Sequence, residues 1–219
     1  MSNEDVNPQK LEKSTFEESV MQRFLEQFPE VQQQHIASIG NMEVIGCNTE
    51  ISEEEITPLR DGFERIEQKL GKRAEMLFSG IKIYIASSIT SRNQALPRQN
   101  AMLLDLEKIY LTVGEMEDLL APKGEYRRGD QSSTVGRETN ATEIGFIHEL
   151  GHILEFKAHD DMDVAFAELD QAESPTEYGQ KSAREDYAES WMYYICDGPL
   201  DERRRKIIEA DIEVLLNES

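Results

Sequence analysis

The chain has 219 residues, of which 38% are hydrophobic and 31% charged, and its formal net charge is −21. That length suits one domain with a core of its own. So acidic a surface repels nucleic acid and anionic membranes, so neither is an expected partner, and no apolar run is long enough to span a bilayer.

Taken from the start, "MSNEDVNPQKLEKSTFEE" is polar and lacks the basic-then-apolar order of a signal peptide. The expectation is a cytoplasmic chain, or one exported without a classical signal. Residues 1–13 have no hydrophobic period and predict a disordered tail, so that 14–219 form a single domain. From Ser14, Phe16, Val20, Phe24 and Leu25 recur at helical spacing, and Pro29 closes that helix. "MEVIGC" (42–47) reads weakly as a strand. Ile56, Leu59, Phe63, Ile66 and Leu70 define an amphipathic helix over 53–70, with Pro58 near its first turn and Gly71 as its stop. The period then changes: "IKIYIASS" (81–88) alternates as a strand does, and 101–106 and 108–113 read as further strands. Residues 121–141 form a polar, Gly-rich loop carrying Arg127, Arg128 and Arg137, which face solvent in the simplest reading. Asn140 with Glu143 resembles a capping box, and helices are expected over about 141–157, 164–171, 183–196 and 200–216. Helices, then a small sheet, then helices indicate an α+β fold. Cys47 and Cys196, far apart in sequence, are expected to be reduced.

"GFIHELGHILEF" (145–156) carries the chemistry. His148 and His152 lie one turn apart on the same helix face, where two imidazoles can grip one ion. Zinc accepts imidazole nitrogen and prefers four ligands; a catalytic site leaves one position for water. Glu149 sits about 100° round the helix from His148, beside the ion, where a base for that water belongs. Two surface histidines on an ordinary helix would be the simpler account. Against it, two of only four histidines fall in this motif, and the helix around them is apolar. Gly151 costs its helix about 1 kcal/mol relative to alanine, so a close approach of another backbone is expected there. A third ligand cannot come from the metzincin extension, whose glycine and histidine positions here hold Glu155 and Ala158, with His159 one residue too late. The remaining source is "SAREDYAESWMYYI" (182–195), where Glu185 and Glu189 share a face. One could bind the ion while the other orients a histidine. Ser182 followed by Glu185 is also a capping box, which would occupy that carboxylate, so spacing leaves both glutamates open.

"HELGH" followed by "PTEYGQKSAREDYAESW" resembles the gluzincin metallopeptidases of the anthrax lethal factor type, including the clostridial Pro-Pro endopeptidases. The likeness covers roughly residues 144–195: HExxH, then a tyrosine, and seven residues later a glutamate opening an E-x-F/Y-A-E-like helix. It implies a zincin-like domain, with a small mixed sheet, an active-site helix and C-terminal helices. It implies His148, His152 and Glu185 as ligands of one zinc ion per chain, Glu149 as general base, Tyr178 as hydrogen-bond donor to the transition state, and Glu189 behind the ligands. The expected function is that of a zinc metalloendopeptidase. The rivals are a zinc-stabilised interaction module and a protease with a single protein target. In zincin-like folds an extended substrate pairs with the sheet edge, here expected to be 101–106 or 108–113.

Overall fold

The computed structural model describes residues 8–86, 94–105, 141–159 and 165–217. Among them are six α-helices and one open sheet of five strands: α1 (Pro8–Gln27), β1 (Gln33–Ile39), β2 (Met42–Cys47), α2 (Glu53–Leu70), α3 (Arg73–Leu77), β3 (Lys82–Ala86), β4 (Gln94–Leu96), β5 (Ala101–Asp105), α4 (Ala141–His159), α5 (Ala183–Ile195) and α6 (Glu202–Asn217). The fold is mixed α+β.

The sheet order is β1-β2-β3-β5-β4. β1 and β2 form a hairpin across Gly40-Asn41, with Gly40 at φ 54°, a conformation only glycine adopts without strain. β2, β3 and β5 run parallel, and β4 folds back antiparallel to β5. Alternate side chains leave opposite faces of the sheet. Ile83 and Ile85 of β3 join Val44, Met102 and Leu104 in the main core, against α2, α4, α5 and α6. Tyr84 and Ala86 join Ile45, Cys47 and Leu103 on the other face, covered by Phe24 of α1 and by Phe28 just after it. Cys47 and Cys196 are buried in cores on opposite faces and form no disulfide.

Ser52 starts α2 with a full capping box: its hydroxyl accepts from Glu55 N, and Glu55 Oε2 accepts from Ser52 N at 2.6 Å. Gly62 lets α2 close on α4, since a Cβ there would stand 3.0 Å from Phe146. The buried Arg65–Glu143 pair, at 2.8 Å, ties α2 to the start of α4. At the start of α6, Asp201 accepts from Arg203 N and Arg204 N. Arg204 is buried rather than facing an acidic surface. It grips Asp186 of α5 at 2.6 Å and the Asp170 carbonyl at 2.9 Å, fixing the chain that leads into α5.

Several sequence expectations are corrected. The first helix begins at Pro8, inside the stretch expected to be a disordered tail. Phe24 of this helix is buried, as is Phe28 just after its end, with Val20 and Met21 beside them, while Phe16 and Leu25 are exposed. The piece near 164–171 is turn from Ala165 onward, followed by a 3-10 turn at Gln171–Glu173. β1 and β4 were not anticipated, because neither has a long alternating apolar run. The 101–105 strand is internal; among the described residues the sheet ends at β1 and β4. The 108–113 strand, most of the 121–141 loop with Arg127, Arg128 and Arg137, and the Asn140 cap lie outside the described residues. Among the described residues, no helix is long and apolar enough to cross a membrane.

Candidate metal centre

α4 carries His148, Glu149 and His152; α5 carries Glu185 and Glu189. The two helices meet where the sequence placed its costly glycine. A Cβ on Gly151 would lie 3.0 Å from Ala188 Cα and 2.9 Å from Trp191 Cδ1. Gly151 sits between the two histidines and Ala188 between the two glutamates, so this one contact brings the four side chains face to face.

Glu185 Oε2 stands 3.3 Å from His148 Nε2 and 3.4 Å from His152 Nε2. One ligand atom from each of the three residues falls within 4.8 Å of the others. A tetrahedral zinc site with bonds of about 2.0–2.1 Å separates its ligand atoms by about 3.3–3.4 Å. Glu185 Oε2 is buried and lacks a hydrogen bond of good geometry, although two imidazole nitrogens surround it. Two imidazoles and an orphaned carboxylate oxygen around one point fit a divalent cation.

Electrostatics point the same way. Burial would depress the His148 imidazole, yet Glu185 and Glu189 beside it hold it well above its ordinary value. Burial would raise the Glu185 carboxyl, but His148 and His152 hold it well below the usual carboxylate range. The pocket thus draws positive charge onto His148, as a site for a cation should.

The two candidate glutamates are told apart by geometry. Ser182 caps α5 with its hydroxyl, which accepts from Glu185 N at 3.2 Å, and the Glu185 carboxylate is left to the histidines. Glu189 is 1% exposed, and its Oε1 lies 2.6 Å from His148 Nδ1. The contact is close but lacks good hydrogen-bond geometry; a proton held on Nδ1 would face Glu189 and leave Nε2 to face Glu185.

Tyr178 precedes the 3-10 turn Gly179–Lys181. Gly179 is required there, since a Cβ would overlap the Ser174 hydroxyl. The Tyr178 ring centroid is 5.7 Å from that of His148, and Lys181 Nζ lies 4.0 Å from its ring centre. Tyr178, Glu149, Ala95 and the three candidate ligands line one cavity of about 290 Å³. His148, Glu149, His152, Tyr178 and Glu185 thus line one cavity, and Glu189 stands behind them against His148.

Two neighbours were not anticipated. Ala95 N, on β4, donates to Glu149 Oε2 at 2.7 Å, and no sequence signal linked them. Glu155 is fully buried, with Arg184 Nη1 3.6 Å from its Oε2. Burial pushes the Glu155 carboxyl up, against the charges of Arg184, His152 and His159. This pair spans α4 and α5 beside the candidate ligands. Comparison with protein families, curated proteins and solved structures found no match for this chain.

Proposed function

We propose that this chain is a zinc-dependent metalloendopeptidase with a zincin-like domain, as its resemblance to the lethal factor type of gluzincin implies. The observation that carries the reading is the arrangement of His148 Nε2, His152 Nε2 and Glu185 Oε2 about one point, with Glu149 and Tyr178 lining the same cavity. A purely structural ion would need neither of the last two.

His148, His152 and Glu185 hold the ion, and Glu189 fixes the His148 tautomer through Nδ1. Zinc bound there would lower the pKa of a water toward about 7 and polarise a peptide carbonyl. Glu149 takes the proton of the attacking water and delivers it to the leaving amine. Tyr178 donates its phenolic hydrogen to the oxyanion as the carbonyl becomes tetrahedral. β4, which ends the sheet among the described residues and lies beside Glu149, is where an extended peptide would lie.

The test is cleavage profiling of a diverse peptide library by mass spectrometry, with zinc-loaded wild type beside Glu149→Gln. The expected result is cleavage by the wild type, a rate about 10²–10⁴-fold lower for the variant, and unchanged zinc content. Equal rates would remove Glu149 from the mechanism. A zinc-loaded wild type that cleaves no peptide and no candidate protein would favour the interaction module.

A further inference from the structure

β4 is three residues long and forms one end of the described sheet, next to the α4 helix that carries Glu149. In an antiparallel pair, residues alternate between pointing both backbone groups at the partner strand and pointing both away. Ala95 pairs with Met102, and its N–H goes to Glu149 rather than to β5. Ala95 is therefore the β4 residue whose N–H and C=O both face away from β5, at the end of the described sheet, with Gln94 and Leu96 turned toward β5. An incoming strand would ordinarily use both groups. Here the N–H is already engaged, at 2.7 Å, by a carboxylate 54 residues away in the chain.

We infer that the Ala95 N–H is a positioning group for Glu149, and that a substrate backbone docking on β4 is held by the Ala95 C=O rather than by its N–H. A carboxylate on a surface helix turn has several rotamers. The amide of a strand tied into the sheet selects one of them and occupies one oxygen, leaving the other to handle protons. Bonds from N–H to an ionised carboxylate are about twice as strong as neutral ones, so this contact outcompetes a substrate carbonyl for the same donor. Substrate selection along β4 then rests on one backbone acceptor and on side-chain pockets. The catalytic half of this inference rests on the peptidase reading; the hydrogen bond itself does not.

Two measurements test it. The first is amide hydrogen exchange by NMR on the whole chain, wild type against Glu149→Ala. The Ala95 amide should exchange at least about tenfold faster in the variant, while the Gln94 and Leu96 amides hold their rates. Equal Ala95 rates in the two proteins would overturn the inference whether or not the protein cleaves peptides. The second is steady-state kinetics of Ala95→Pro on the best peptide from the library. Proline removes the N–H and keeps the C=O, and it is tolerated on an edge strand whose nitrogen faces outward. With zinc content and circular dichroism unchanged, kcat should fall about 10–100-fold and KM should stay within about threefold, the size expected for a lost bond to a charged group. A raised KM with unchanged kcat would make Ala95 N–H a substrate donor and overturn the assignment. If the wild type cleaves nothing, the peptidase reading fails, and the exchange result alone decides the Ala95–Glu149 contact.

Discussion

Replacing Gly151 by alanine tests how the site is assembled without touching any candidate ligand. The new methyl would stand 3.0 Å from Ala188 Cα and 2.9 Å from Trp191 Cδ1. Carbon atoms in good contact lie about 3.5–4.0 Å apart, so α5 must retreat by about 0.5–1 Å or rotate. Trp191 is fully buried and Ala188 Cα is backbone, so neither yields cheaply. Metal–ligand distances tolerate only about 0.2 Å, and the retreat carries Glu185 away from both histidines by more than that. Overpacking of this kind costs about 1–3 kcal/mol, while alanine in place of mid-helix glycine returns about 1 kcal/mol. The metal-free variant should therefore lose no more than about 2 kcal/mol and stay folded. Zinc affinity, measured by competition with a chromophoric chelator, should fall at least about tenfold, or about 1.4 kcal/mol. Wild-type zinc affinity in a folded Gly151→Ala protein would refute the idea that the Gly151–Ala188 contact sets the position of the third ligand.

Three further outcomes are expected. Tyr178→Phe should bind zinc normally and melt normally but lose about 10²–10³-fold in kcat; an unchanged kcat removes the phenol from the oxyanion site. Glu189→Gln should weaken zinc binding by about 10–100-fold, because Gln cannot take the His148 Nδ1 proton as a charged acceptor, and equal affinity in a chelator titration would show that His148 needs no such partner. Burial pushes the Cys47 thiol up to about 11. Its folded value lies above its unfolded one, so the stability it contributes is fully present below the unfolded pKa of about 8.5 and is lost as pH rises toward the folded value. At pH 8 a thiol reagent should therefore label native Cys47 far more slowly than the urea-unfolded chain, and equal rates would mean that the strand pair around it opens readily.

The candidate metal-holding group is legible in the sequence because its parts obey helical spacing. His148, Glu149 and His152 declare their shared face within five residues, and Glu185 and Glu189 repeat the spacing on a second helix. Even the crossing of the two helices was foreshadowed, since a glycine in an apolar helix asks for a close neighbour, and Ala188 supplies it. What spacing could not decide was which glutamate faces the ion. That depends on how far Ser182 uses Glu185 in its cap, and the structure gives the cap the Glu185 amide rather than its carboxylate. Pattern failed at the sheet edge for a physical reason. "QQHIASI" alternates weakly because His35 and Ser38 keep β1 half solvated, and "QAL" is too short to show any period. A three-residue strand exists only through its pairing with β5 and its contacts beyond the sheet, which are long-range and leave no local trace. Phe28 escaped notice for a related reason. It follows the last residue of α1, next to Pro29, and reads as an end signal, but the reach of that helix over the sheet turns it inward onto the Phe24 ring, 5.0 Å away. The same asymmetry holds at the candidate site. His148, Glu149, His152, Glu185 and Glu189 are marked by their spacing on helices, whereas the group that bonds Glu149 is a backbone amide on β4, which any residue except proline could provide and no motif can mark.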